Sequence, residues 1–252
     1  MTELVKISEA NGVMEIVWNR PDKKNALSNA MYRTATAALA RAVEDKSIRV
    51  VLLASEGDSF TSGNDLADFA SAAMGGEAPA AHGFIEAIIQ FPKPVVAAVP
   101  GLAVGVGTTM LLHCDLVFVA NDANLTTPFV NLALVPEAAS SMLMPARIGH
   151  VRSFAMFALG EALTGVQAAQ LGLANAALAK EEVLAAARKA AATLAQRPIG
   201  AVMAAKKLMR DADILTHSRT EGAIFAERLR SAEAMEAFTA FQQKRAPDFS
   251  KL

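Results

Sequence analysis

Two glycine-bearing loops and one glutamate supply the groups with which this chain could do chemistry. The segment Phe60-Thr61-Ser62-Gly63-Asn64-Asp65-Leu66 carries a glycine and side chains able to cap a helix. Backbone N–H groups can point outward there, so an anion could sit on the N–H of Asn64, although an ordinary helix start has the same residues. The segment Gly101-Leu102-Ala103-Val104-Gly105-Val106-Gly107 runs directly into an apolar helix expected over Thr108 to His113. Such a junction presents free N–H groups at a positive dipole end; close helix packing is the other reading of its glycines. A dinucleotide fingerprint needs glycine three places after Gly107, where Met110 stands, and that reading is set aside. Glu137, in Val135-Pro136-Glu137-Ala138-Ala139-Ser140-Ser141, is either a helix-start carboxylate or a general base. Together the three segments offer anion stabilisation and proton transfer.

Other chemistries find little support. The one cysteine, Cys114, has no recognisable base and reads as an inert buried thiol. His82, His113, His150 and His217 lack metal spacing and are given no catalytic role, and no Walker or zinc motif is present, so no metal is expected. The formal net charge of −1 gives no global attraction to nucleic acid or an anionic membrane. No secretory signal is visible over Met1 to Ala10, and Pro92, Pro94, Pro100 and Gly101 interrupt the apolar stretch from Phe91 to Val106, against a membrane span of about 20 residues. The alanine-heavy composition favours a bacterial cytoplasmic protein. The final Ser250-Lys251-Leu252 spells a peroxisomal address in a eukaryotic cell, which is the alternative.

The elements that must position these groups follow from periodicity. Alternation over Val5-Ile7 and Val13-Val17, with Ala10-Asn11-Gly12 between, predicts a hairpin, and a helix follows from about Asn29 to Glu44. Val50 to Ala54 and Val95 to Val99 are short apolar β-branched runs of the kind buried on both faces. Strands alternating with helices imply a mostly parallel α/β sheet, with the loops Ser55 to Asp65 and Pro100 to Gly107 at strand carboxyl ends, where such sheets bind ligands. From about Gly149 onward the pattern is all helical: Glu181 to Ala195 and Thr216 to Lys244 form long helices, and Pro198 opens another. No internal repeat is visible.

The Phe-x-x-Gly-x-Asp loop, Phe91-Pro92-Lys93-Pro94 leading to Gly101-x-Ala103-x-Gly105, and Asn19-Arg20-Pro21 with Asn25-Ala26-Leu27 resemble the crotonase (enoyl-CoA hydratase/isomerase) superfamily over nearly the whole chain. That resemblance implies an α/β fold with a spiral of ββα turns over residues 1–195 and a C-terminal all-helical trimerisation region over 196–252. It implies a homotrimer or dimer of trimers, and an oxyanion hole for an acyl-CoA thioester whose donors are the N–H groups of Asn64 and Val106. No cofactor is implied, because coenzyme A is part of the substrate.

Family hydratases carry two glutamates at positions that here hold Thr109 and Phe129. The context Thr127-Pro128-Phe129, Pro136-Glu137 and Ser140-Ser141, with Ser62-Gly63-Asn64-Asp65-Leu66, is instead similar to the peroxisomal-type Δ3,Δ2-enoyl-CoA isomerases. The resemblance then makes Glu137 the catalytic base of a double-bond shift from C3 to C2. It assigns substrate and CoA contacts to Gly63, Asp65, Leu66, Gly105 and Phe129, to the backbone of Lys24, Asn25 and Ala26 near the adenine end, and to Lys244 near the phosphates. The acyl tail is expected around Leu66 to Phe84, with Met74-Gly75-Gly76 as a lid. Other crotonase reactions, hydration or thioester hydrolysis, and a non-catalytic acyl-CoA-binding subunit are the alternatives. Apolar neighbours such as Phe129, Leu132 and Leu134 would raise the pKa of Glu137, whereas a helix N-terminus would lower it.

Overall fold

Asn11 and Gly12 both have positive φ, 52° and 82°, as a tight hairpin turn requires. They join β1 (Val5–Ala10) to β2 (Val13–Trp18) in antiparallel register from Val5↔Trp18 to Ala10↔Val13. The computed structural model describes residues 3–65, 67–68, 79–210, 212–250 and 252. Helix α1 (Asn29–Glu44) is capped by Ser28, whose Oγ accepts from the N–H of Met31 at 3.4 Å. It buries Met31, Tyr32, Ala35, Ala38, Leu39 and Ala42, the stripe expected of an amphipathic helix.

The chain then winds. β3 (Val50–Ser55) is followed at once by β4 (Ser59–Thr61), and after α2 (Ala81–Gln90) come β5 (Val95–Val99) and β6 (Leu102–Val104). A one-turn helix α3 (Val106–Thr109) and a 3₁₀ turn over Met110–His113 lead to β7 (Leu116–Ala120) and β8 (Asn124–Thr126). Each β-β pair gives its first strand to one sheet and its second to another. The six-stranded sheet has the order β1-β2-β3-β5-β7-β10 and is parallel from β2 onward; the four-stranded sheet has the order β4-β6-β8-β9, with only β8/β9 antiparallel. Successive turns therefore stack strand on like strand, which is the ββα spiral. β3 is buried from Val50 to Ala54 and β5 throughout, as expected for strands covered on both faces.

After a 3₁₀ turn at Val130–Leu132 come α4 (Ser140–Ile148), α5 (His150–Phe154), a π-helical turn over Ala155–Leu159, β9 (Leu163–Thr164), α6 (Gly165–Gln170), β10 (Ala176–Leu178), α7 (Lys180–Ala195), α8 (Ile199–Met209), α9 (Ile214–Arg228) and α10 (Ala232–Gln242). Two expectations are corrected. The chain beyond Gly149 is not all helical, because β9 and β10 complete the two sheets; at two and three residues they are too short to show a period of their own. The helical pattern over Thr216 to Lys244 is interrupted after Arg228, and Ser231 opens α10 by accepting from the N–H of Ala234 at 3.1 Å. The C-terminal helices fold back on the chain, α9 against α2 and α10 against the turn at Val130–Leu132. Among the described residues, no helix is long and apolar enough to cross a membrane, and no His, Cys, Asp and Glu cluster could hold a metal ion.

Candidate active site

The loop after β4 is laced to the start of the chain. Leu27 donates its N–H to the carbonyl of Gly63 at 2.8 Å and accepts from the N–H of Asp65 at 2.9 Å. Because alternate backbone groups of a strand face opposite sides, this pairing turns the N–H of Asn64 away from Leu27, and it is donated to no group among the described residues. Gly63 makes the geometry possible: its φ is +90°, and a Cβ there would stand 3.0 Å from the carbonyl oxygen of Val104. On the facing loop, Gly105 donates to Thr126 O at 2.9 Å and accepts from the N–H groups of Thr108 and Thr109. Val106 is the first residue of α3, so its N–H has no partner within the helix, and none is found among the described residues. Asn64, Gly105 and Val106 line one narrow cavity of about 90 Å³ together with Phe129, whose ring packs 6.2 Å from that of Phe157.

That neck joins two larger spaces through Asn64. On one side lies a cavity of about 750 Å³ lined by Arg20, Lys23, Ala26, Asp65, Phe241 and Arg245, among others. On the other lies an apolar cavity of about 410 Å³ between α2 and α9, whose wall includes Ile85, Phe225, Leu229 and Glu137. The side chain of Asn64 is held by Tyr32, the only tyrosine of the sequence, whose hydroxyl donates to Asn64 Oδ1. Burial, reinforced by the charge of Glu137, keeps that phenol protonated well above its ordinary range.

Glu137 has two unlike oxygens. Oε1 accepts from the hydroxyl of Thr109, while Oε2 is buried and has no partner among the described residues. Burial pushes the carboxyl from 4.5 up to about 7; the hydrogen bond from Thr109 opposes this and the nearby charge of Glu221 adds to it. Burial is thus the largest influence on the carboxyl. Ala138 and Ala139, both left-handed at φ 58° and 56°, separate the carboxylate from α4. Such conformations are strained for alanine and need support from their surroundings. His113 gives it: burial lowers its pKa to about 3, so the neutral ring donates from Nε2 to the carbonyl of Ala138 at 2.8 Å.

The other residues singled out from the sequence are placed as follows. Asp65 pairs with Arg20 at 2.5 Å on the wall of the larger cavity; burial works against its ionised form, yet the Arg20 and Ala67 hydrogen bonds hold the carboxyl below its usual range. Asn25 is fully buried, its side chain bound to Arg20 N, Glu56 O and Ser59 O, and it ties the early loop to the β3-β4 bend. The carbonyl of Lys24 accepts from Ser62 N, and Ala26 reaches the cavity. Lys244 is exposed just beyond α10; Phe241 and Arg245, beside it, line the larger cavity, and Lys244 does not. Leu66, the proposed lid at Met74-Gly75-Gly76 and Lys251 of the terminal tripeptide lie outside the described residues. Cys114 is buried and its thiol is pushed up to about 12, first by burial and then by Asp115. Sequence reasoning missed the contacts of Tyr32, Thr109 and Glu221; for Thr109 the one available signal was that it stands where hydratases carry a glutamate.

Two stacked sheets wound by one spiral, with two unpaired backbone N–H groups at a neck between cavities, define the crotonase class of CoA-thioester enzymes. The family model described as enoyl-CoA hydratase/isomerase matches residues 8–251, and the chain belongs to that family. The solved structure of an enoyl-CoA hydratase/isomerase from Pseudoalteromonas atlantica T6c superposes with a TM-score of 0.93 at 38% identity, covering 98% of this chain and 100% of the other. Enoyl-CoA delta isomerase 2 of Rattus norvegicus is 37% identical over 67% of this chain but only 44% of its own length, so this chain spans less than half of that relative. Enoyl-CoA hydratase domain-containing protein 2, mitochondrial, of Bos taurus is 31% identical over 94% of this chain and 84% of its own.

Proposed function

We propose that the protein is a Δ3,Δ2-enoyl-CoA isomerase with Glu137 as its single base. The observation that carries this reading is the state of that carboxylate: it lies on the apolar cavity beyond Asn64, anchored through Oε1, with Oε2 buried and without a partner among the described residues. The thioester carbonyl sits at the neck and accepts from the N–H groups of Asn64 and Val106. The CoA moiety then occupies the larger cavity with Arg20, Lys23 and Arg245, and the acyl chain the apolar one.

Glu137 Oε2 takes the proton from C2 of a 3-enoyl thioester. The C–H electrons move into the C1–C2 bond and negative charge collects on the carbonyl oxygen between the two donors. Collapse of the dienolate forms C2=C3 while C4 takes the proton back from the same carboxyl. Each preorganised donor contributes on the order of 10²- to 10³-fold in rate, and a positioned base roughly 10²- to 10⁴-fold. A carboxyl titrating at about 7 is matched to both halves of this transfer near neutral pH. Hydration would also require a water held by further acid–base groups, and the positions where family hydratases place them carry Thr109 and Phe129. The expected trimer or dimer of trimers belongs to the same reading, and light scattering tests it.

The decisive assay incubates the pure protein with a trans-3-enoyl-CoA and, separately, a trans-2-enoyl-CoA, with products resolved by chromatography. Conversion of the 3-enoyl to the 2-enoyl ester with little 3-hydroxyacyl product is the expected result. Dominant hydration would replace the isomerase reading with a hydratase. Tight CoA binding without turnover would leave an acyl-CoA-binding subunit.

A further inference from the structure

A second carboxylate, Glu221, is buried in α9, 84 residues along the chain from Glu137. Its Oε1 accepts from the backbone N–H of Ser141 at 2.8 Å and from the Ser141 hydroxyl at 2.5 Å, while Oε2 is buried with no hydrogen-bond partner among the described residues. His217, one turn earlier on α9, lies 3.6 Å from Glu221 Oε1 and 2.8 Å from the Ser141 hydroxyl. Ser141 is in the first turn of α4, and Ser140 beside it donates its N–H to the carbonyl of Glu137 at 3.0 Å. The only residues between Glu137 and this anchor are the two left-handed alanines and Ser140. A carboxylate at the N-terminal turn of a helix is favourably placed by the free N–H groups there, so the contact both caps α4 and fixes the end of the strained turn.

We infer that Glu221 is the positioning residue of Glu137: through Ser141 it pins the turn that aims the base, and it places a second carboxylate near the base. This rests on Glu137 being the base of the proposed reaction. A single-base proton shuttle needs a carboxyl that holds its proton between C2 and C4, and a neighbouring like charge disfavours early loss of that proton. Burial raises the carboxyl of Glu221 as well, the hydrogen bonds from Ser141 and the charge of His217 favour its ionised form, and that charge adds to the upward shift of Glu137. The other titratable groups facing the site come from three helices. They are Tyr32 of α1, His82 of α2, and His217 and Arg219 of α9, with Arg219 committed to Glu86 at 2.7 Å.

The test follows the carboxyl of Glu137 by NMR in protein labelled with ¹³C at glutamate side chains, the resonance being assigned by its loss in Glu137→Gln. Glu221→Gln keeps an acceptor for Ser141 and removes the charge. It should lower the midpoint from about 7 by roughly half a unit or more, with the acid limb of kcat/KM moving with it. An unmoved midpoint overturns the proposal. Ser141→Ala, which keeps the charge but loosens the anchor, should reduce kcat roughly tenfold with KM within about twofold, and Ser141→Thr should restore it. Unchanged kcat in Ser141→Ala, or a loss that threonine does not repair, counts equally against it. The titration needs no substrate, so its outcome stands apart from which reaction Glu137 serves.

Discussion

Replacing Glu137 by glutamine should destroy activity and at the same time stabilise the protein, with a pH dependence that identifies the cause. In the folded chain the carboxyl titrates at about 7 against 4.5 for the free group. Below pH 4.5 both folded and unfolded chains hold the proton and the residue is neutral in each. As pH rises from 4.5 to 7 the unfolded chain releases its proton first, so the folded state loses stability across that window and no further above it. Two and a half units at 1.36 kcal/mol each amount to about 3 kcal/mol, of which about 2 kcal/mol falls between pH 5.5 and 8. Glutamine carries no titrating proton, so this loss is absent from Glu137→Gln. Denaturant unfolding of both proteins at fixed protein concentration, at pH 5.5 and at pH 8, should show the stability difference growing in favour of the variant by about 2 kcal/mol. The kcat of the proposed isomerisation should fall roughly 10²- to 10⁴-fold in the same variant. Stability curves that stay parallel across the two pH values would mean that Glu137 is not held in a desolvated site, and the argument for its elevated pKa would fail.

Two further outcomes follow from the same geometry. The acid limb of kcat/KM should have its midpoint at about 7 in the native enzyme; Thr109→Val removes the hydrogen bond that favours the ionised carboxylate, so a pH–rate series on that variant should show the midpoint moved upward, and a downward move would contradict the role given to Thr109. Gly63→Ala forces a Cβ to 3.0 Å from Val104 O at a φ of +90°, and should cost about 1–3 kcal/mol in unfolding experiments while lowering kcat through displacement of the Asn64 N–H. Full activity in that variant would place the oxyanion elsewhere.

What was legible in the sequence was local or periodic. The Asn11-Gly12 turn, the amphipathic stripe of α1 and the doubly buried strands β3 and β5 each announce themselves within one short window of residues, because their dihedral and burial requirements fall on neighbours in the chain. The second sheet was not legible. β4, β6 and β8 are three residues each, β4 and β6 lie within segments that read as loops and β8 was not read as an element, and only stacking of successive spiral turns makes them strands. The glycine loops and Glu137 could be picked out as candidates through their resemblance to a family, yet the sequence left open whether the carboxyl would be pushed up or down.

The tertiary structure decided that question, because desolvation depends on what surrounds a group rather than on its neighbours in the chain. The hydroxyl that holds Glu137 comes from Thr109, 28 residues away; the phenol that orients Asn64 comes from Tyr32, 32 residues away; the carboxylate that holds Ser141 comes from Glu221, 80 residues away. Residue types and spacing offered two glycine-bearing loops and one carboxylate after a proline, each with a structural reading as well, and the resemblance to a family is what made them candidates for chemistry. Folding decided which of these groups meet, since hydrogen-bond partners and burial are set by packing between elements far apart in the chain.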